Sequence, residues 1–208
     1  TKEAMIIGTA GLTAGMSVLR LTETIKPTDG TIVVSGATGG VGSVSVMILN
    51  KLGYKVVAIT GKEDEKQYLL DLGATEVILR KDFEELQNRP MLKPLFAGAI
   101  DTVGGVILEN IIKSVNPLGV VTCCGNAASI KLELTVFPFI LRGVSLIGID
   151  SQNYPMNYRE QVWNKLADEW KLDNLESNAN TISLDELSGK LNLMLTGKLK
   201  GRTVLKLV

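Results

Sequence analysis

The segment TIVVSGATGGVGSVSVMIL, residues 31–49, decides the fold. A short β-branched run leads into Gly36, Gly39, Gly40 and Gly42, and a pattern of helical period follows, with Val41, Val44, Ile48 and Leu52 on one face. A turn alone needs one or two glycines. Four of them between a strand and a helix describe a tight turn, a close approach of backbone to a ligand, and a helix N-terminus whose free N–H groups and dipole attract a pyrophosphate. The same glycines would also let a strand and a helix pack closely without any ligand. The βαβ setting favours the phosphate-binding reading.

Outward from that segment, β-branched runs alternate with helical stretches. Strands are expected at 32–35, 55–60, 74–79, 97–101, 119–124 and 144–149, and a last one at 203–208. Helices are expected between them: one at 65–72, one striped by Ile107, Leu108, Ile111, Ile112 and Val115, a Trp-bearing one with Val162, Trp163, Leu166 and Trp170, and one with Leu184, Leu187, Leu191 and Leu195. Residues 80–95, with Pro90 and Pro94, read as a helix plus loop. This alternation implies parallel pairing, right-handed crossovers and helices on both faces of the sheet. The expectation is a doubly wound parallel α/β sheet, a single Rossmann domain over residues 1–208.

Composition narrows the function. The 208 residues are 45% hydrophobic and carry 22 basic and 22 acidic side chains, so no electrostatic footprint for nucleic acid or an anionic membrane is visible. There is no uninterrupted apolar run of about 18 residues and no signal-peptide layout. A cytoplasmic protein is expected. Cys123 and Cys124 are adjacent and form no disulfide framework; in a strand their side chains point to opposite faces and read as small core residues. Histidine is absent, which excludes Ser-His-Asp and Cys-His catalysis within this chain and removes the commonest zinc ligand.

The second strand ends in AITGKEDEK. An NAD site usually has a carboxylate there, about 20 residues beyond the glycines, to hold the ribose hydroxyls. Here Thr60, Gly61 and Lys62 take that turn, so no carboxylate stands immediately at the strand end to repel a 2′-phosphate, and Lys62 can neutralise it. Arg80, after the third strand, is placed to reach the same phosphate. This favours NADPH over NADH. Lys62 also begins a charged stretch with Glu63, Asp64 and Glu65, and a solvated charge is the alternative reading for it. Other nucleotide-binding classes fit less well. None of Tyr54, Tyr68, Tyr154 and Tyr158 has a lysine four residues on, as a short-chain dehydrogenase requires. A methyltransferase wants an acid where Thr60 and Gly61 stand, and no Gly-Lys-Ser/Thr follows the loop as in a Walker NTPase.

Seven segments, GTAGLTAGMSVL, GATGGVGS, LGYKVVAITGK, YLLDLGATEVI, GAIDTVGG, PFILRGVSLIGIDS and GRTVLKLV, occur in order along the chain. Together they resemble the coenzyme domain of the medium-chain dehydrogenase/reductase superfamily, in its zinc-free branch of quinone oxidoreductase-like and acryloyl-CoA reductase proteins. The resemblance implies hydride transfer from NADPH to an activated C=C bond in an enoyl thioester, an enone or a quinone, in a cytoplasmic homodimer. It also implies an N-terminal GroES-like catalytic domain ahead of the GTAG helix, so the chain reads as a fragment, inactive by itself, whose catalytic residues are unknown. An NADPH-binding sensing module without turnover is the alternative. Carried over by position, Gly36, Gly39, Gly40, Val41 and Gly42 are expected at the pyrophosphate and Thr60, Gly61, Lys62 and Arg80 at the 2′-phosphate. Gly125, Asn126 and Ser151 are expected beside the nicotinamide, and Arg202 is expected as a cofactor-side arginine. Lys62 replaces the arginine common in this branch, a point charge in place of a bidentate fork. Asp101 is expected to make structural hydrogen bonds. The apolar TVFPFILRGV is expected as a dimer surface or as the face turned to the catalytic domain. Valine at Gly39 or Gly42 is expected to abolish cofactor binding while the fold mostly survives.

Overall fold

The computed structural model describes residues 2–85 and 89–207. Its centre is a six-stranded, wholly parallel sheet in the order β3-β2-β1-β4-β5-β6. The strands are β1 (Ile32–Ser35), β2 (Val56–Thr60), β3 (Glu76–Leu79), β4 (Phe96–Asp101), β5 (Val115–Cys123) and β6 (Ser145–Gly148). β1, β2 and β4 are buried at every position because both faces are covered, which is why they read as continuous apolar runs. The edges β3 and β6 are partly exposed.

Two apolar cores follow from strand alternation. Ile32 and Val34 of β1 point to one face, beneath α1 (Lys2–Thr22), α2 (Gly40–Lys51) and α7 (Met156–Ala167); Val33 points to the other, beneath α4 (Arg80–Glu84) and α5 (Gly105–Ser114). α1 is long and apolar enough to cross a bilayer, yet 67% of its most apolar window is buried against this sheet and its helices. It kinks at Gly8, whose φ is +49°. The strand order reverses between β1 and β4, and the crevice at the carboxyl ends of those two parallel strands is the ligand position in open α/β sheets.

Three expectations are corrected. The last strand, β8 (Arg202–Leu205), does not join the main sheet; it pairs in parallel with β7 (Ala179–Ile182), a strand the apolar pattern did not signal because two of its four residues are exposed and polar. Trp170 is not on the Trp-bearing helix. That helix ends at Ala167, and the Trp170 ring, 3% exposed, folds back under the Lys165 ammonium at 5.1 Å. α8 (Leu187–Leu195) begins after Leu184 and buries none of its side chains against the described residues, so its apolar stripe does not dock on this domain. α3 (Lys66–Asp71) forms within the expected helix, α6 (Phe137–Arg142) arises in the apolar TVFPFILRGV, and residues 86–88 and Val208 lie outside the described residues.

Candidate functional site

The β1–α2 connection is built by absences of side chain. Gly36 turns the chain at φ +58°, and a Cβ there would come within 2.2 Å of Thr102 Oγ1. Gly39 is extended and serves as N-cap, its N–H donating to the Gly36 carbonyl at 2.9 Å. Ser43 N–H donates to the Gly39 carbonyl, while the N–H groups of Gly40, Val41 and Gly42 have no acceptor among the described residues. Those three donors and the helix dipole face the crevice, an arrangement suited to an anion.

Arg202 completes the cradle. A Cβ on Gly40 would meet Arg202 Nη1 at 2.6 Å, and one on Gly8 would meet Nη2 at 3.0 Å, so the guanidinium lies between the α1 kink and the start of α2. Its Nε donates to the Ile6 carbonyl at 2.7 Å. It joins no ion pair among the described residues, although burial pushes its pKa down. A half-buried guanidinium without a carboxylate, above three free N–H groups, fits a bound pyrophosphate.

Gly42 needs a correction. A Cβ there would fall 2.4 Å from the Gly36 carbonyl oxygen and 2.7 Å from Ala37 Cα. Backbone of the turn itself fills that space, so valine at Gly42 would break the turn and the fold would not survive it unchanged. Gly39 differs: a Cβ would meet only the Gly36 carbonyl oxygen, at 3.2 Å.

At the end of β2, Thr60 is 1% exposed, and its hydroxyl lies 3.4 Å from Thr38 Oγ1 and accepts the Lys62 N–H at 3.0 Å. It shapes the turn. The Arg80 guanidinium lies across Gly61, 3.5 Å from where a Cβ would be, and pairs with Glu84 at 3.6 Å. Gly61, Arg80, Lys81, Glu63 and Glu84 line a shallow cleft of about 160 Å³. Lys81 was not foreseen; it pairs with Glu63 at 3.9 Å. Lys62 differs from Arg80 and Lys81, since its ammonium donates to the Leu199 carbonyl and joins no carboxylate among the described residues. Burial lowers its pKa, Glu65 acts the other way and Lys200 adds to the lowering.

The segment ahead of β8 is thereby strapped over the glycine turn. Gly201 N–H donates to the Thr38 carbonyl at 2.9 Å, and Lys200 pairs with Glu65 at 2.6 Å above the Tyr68 ring. Tyr68 Oη donates to Asn178 Oδ1 at 2.5 Å, and Asn178 Nδ2 donates to Ser43 Oγ at 3.0 Å, tying α3, the start of β7 and α2 together. Burial drives the Tyr68 pKa up to about 12, so the phenol stays a donor. Sequence reasoning placed Arg202 at the site but missed this strap, which depends on pairings more than a hundred residues apart.

On the far side of the crevice, Cys123, Cys124, Gly125, Asn126, Gly148, Ile149 and Asp150 line an open cleft of about 540 Å³. Gly125 and Asn126 are on its wall. Ser151 stands just outside, its carbonyl accepting from Arg159 at 2.9 Å, and Asp150 takes the wall position. Burial pushes both thiols up, Cys124 to about 12, so neither is a thiolate nucleophile at neutral pH. Among the described residues no cluster of Cys, Asp and Glu has the makings of a metal site.

Residues 40–168 match the sequence model of the zinc-binding dehydrogenase family. The chain belongs to that family. Within this dehydrogenase family, and the wider medium-chain dehydrogenase/reductase superfamily, it is 44% identical to a probable acrylyl-CoA reductase, AcuI, of Escherichia coli over 99% of its own length. It is 43% identical over 99% of its length to a putative quinone oxidoreductase, YhfP, of Bacillus subtilis. It spans 63% of the length of each. Among solved structures it superposes on the YhdH oxidoreductase of Salmonella enterica in complex with NADP with a TM-score of 0.94 and 41% identity, covering 99% of this chain and 63% of that one. On B. subtilis YhfP with NAD bound the TM-score is 0.95 with 43% identity, over 99% and 63%. The chain therefore has the Rossmann α/β fold of these solved oxidoreductases.

Proposed function

We propose that this chain is the coenzyme-binding part of a cytoplasmic, zinc-independent NADPH-dependent reductase that saturates an activated C=C bond, in an enoyl thioester such as acryloyl-CoA, an enone or a quinone. The observation that carries the reading is the cradle of three free N–H groups at the start of α2 beneath a guanidinium with no carboxylate partner. The names of the similar reductases, and the dinucleotides in their crystal structures, support the substrate class and the cofactor. When bound, NADPH supplies the hydride. The chain's own residues do the rest of the work on this side of the cleft: Gly40, Val41 and Gly42 donate to the pyrophosphate, Arg202 neutralises it, and Lys62 with Arg80 holds the 2′-phosphate. Gly125 leaves room for the nicotinamide beside Asn126, with Asp150 on the cleft wall and Ser151 just beyond it. A GroES-like domain supplies the opposite wall and shields the acceptor from water, so the chain by itself turns over slowly or not at all.

The exposed edge β6 and the apolar side chains of Val136, Phe137, Ile140 and Leu141 around α6 support a homodimer joined through that edge.

The test follows NADPH absorbance with a full-length reductase carrying this domain against acryloyl-CoA, short enones and quinones. Turnover of at least one conjugated acceptor is expected; none with any of them would contradict the reading. Cofactor choice is tested separately. Lys62→Met is expected to weaken NADPH by roughly tenfold, the scale of one charge-assisted hydrogen bond, while NADH binding stays within twofold. Equal losses for both would show that Lys62 serves the strap alone.

A further inference from the structure

The end of β4 holds a charge that the phosphate cradle does not use. Asp101 is 0% exposed and takes part in no ion pair among the described residues. Its Oδ1 accepts from Ser35 Oγ at 2.6 Å, its Oδ2 from Gly104 N–H at 2.9 Å, and the Val103 N–H donates as well. Burial without a basic partner pushes the Asp101 pKa up, and the three donors pull it the other way, favouring the ionised form that burial alone would disfavour. They also fix its place. Ser35 accepts the Thr102 N–H at 3.0 Å and leads directly into the Gly36 turn, while Gly104 opens α5. The stitched carboxylate thus stands at the switch point of the sheet, between the two glycine turns.

One side chain separates it from the open cleft. Cys123 Sγ lies 4.0 Å from Asp101 Oδ2, and Cys123 is itself on the cleft wall with Gly125 and Asn126. The thiols there stay neutral, so they neither add to the carboxylate's field nor cancel it. Across the crevice the uncompensated groups, Arg202 and Lys62, are cations. Negative charge under the nicotinamide cleft and positive charge at the phosphates is a polarised site, and it distinguishes the two oxidation states of a nicotinamide. The reduced ring is neutral; loss of one hydride, with its electron pair, leaves the oxidised ring with a positive charge.

We infer that Asp101 is a buried counter-charge for the oxidised nicotinamide, a positioning residue that acts across Cys123 to favour NADP⁺ relative to NADPH in the bound state and so eases hydride donation. The inference rests on the dinucleotide reading above and goes beyond it by naming the group that sets the poise of the bound cofactor. A residue that only stitched turns together would affect both oxidation states alike.

The experiment measures dissociation constants of NADP⁺ and NADPH by calorimetric titration for the wild-type chain, Asp101→Asn and Ser35→Ala. Loss of the charge is expected to raise the ratio Kd(NADP⁺)/Kd(NADPH) roughly tenfold, the scale of unit charges about 10 Å apart at an effective dielectric near 20. Ser35→Ala, which withdraws the Oδ1 donor that favours the ionised carboxylate, is expected to shift the ratio in the same direction, and it decides the matter if Asp101→Asn does not fold. A ratio unchanged within twofold in a folded variant overturns the inference, whether or not both affinities fall together. A wild-type chain that binds neither form overturns the dinucleotide reading itself, and the counter-charge role with it.

Discussion

Gly42→Val is expected to cost about 3 kcal/mol of stability or more, the upper range for forcing a side chain into filled space. The new Cβ would sit 2.4 Å from the Gly36 carbonyl oxygen and 2.7 Å from Ala37 Cα, and neither can retreat as a flexible side chain would. Both belong to the turn that ends β1, a strand buried at all four positions between β2 and β4. For a chain of this size the loss corresponds to a fall of roughly 6–12 °C in melting temperature. Gly39→Ala is the control. Its Cβ would meet only one carbonyl oxygen, at 3.2 Å, so a stability change of less than about 1 kcal/mol is expected. Thermal unfolding of the two variants side by side checks the assignment; an unperturbed melting temperature for Gly42→Val would show that the turn can open to admit a side chain.

The second large effect is expected at Arg202. Arg202→Met keeps much of the aliphatic bulk that packs beside Gly8 and Gly40 and removes the charge above the free N–H groups of α2. A charge-assisted, bidentate contact to phosphate contributes about 1.5–3 kcal/mol, so NADPH and NADH should both weaken by roughly 10- to 150-fold. The equal loss separates Arg202 from Lys62, whose substitution is expected to act on NADPH alone. Part of any stability change will come from the Ile6 carbonyl, which loses its donor at 2.7 Å. Titration of both dinucleotides into the folded variant is the check. Affinities within twofold of wild type would move the pyrophosphate away from this arginine.

The sheet was legible because its strands are buried on both faces. Residues 32–35, 56–60 and 96–101 read as apolar runs with no polar face to mislead, and the glycines fixed where β1 passes into α2. The small second sheet was not legible. Ala179–Ile182 alternates without an apolar face, and its partner at 202–205 is half-buried throughout, so neither has the signature of a core strand. Trp170 misled for a related reason. Its spacing from Trp163 suits one helix, but the chain leaves the helix at Asp168 and returns the ring to the core through a turn. At the site, the sequence showed the glycine turn and the residue types around it, and the uses of several side chains followed only from distant pairings. Thr60 turns inward to Thr38, Lys62 reaches Leu199, and Asp101 meets Ser35 from 66 positions away. No local pattern encodes such contacts.

The central claim is that a dinucleotide pyrophosphate lies on the first turn of α2 beneath Arg202. Amide nitrogen–proton spectra of the isotopically labelled chain, recorded as NADPH is added, test it directly. The amides of Gly40, Val41 and Gly42 are expected to shift together with those of Lys62 and Arg202 and to saturate at one common dissociation constant. Saturable shifts confined to other parts of the chain, with the Gly40, Val41 and Gly42 amides unmoved, would contradict it.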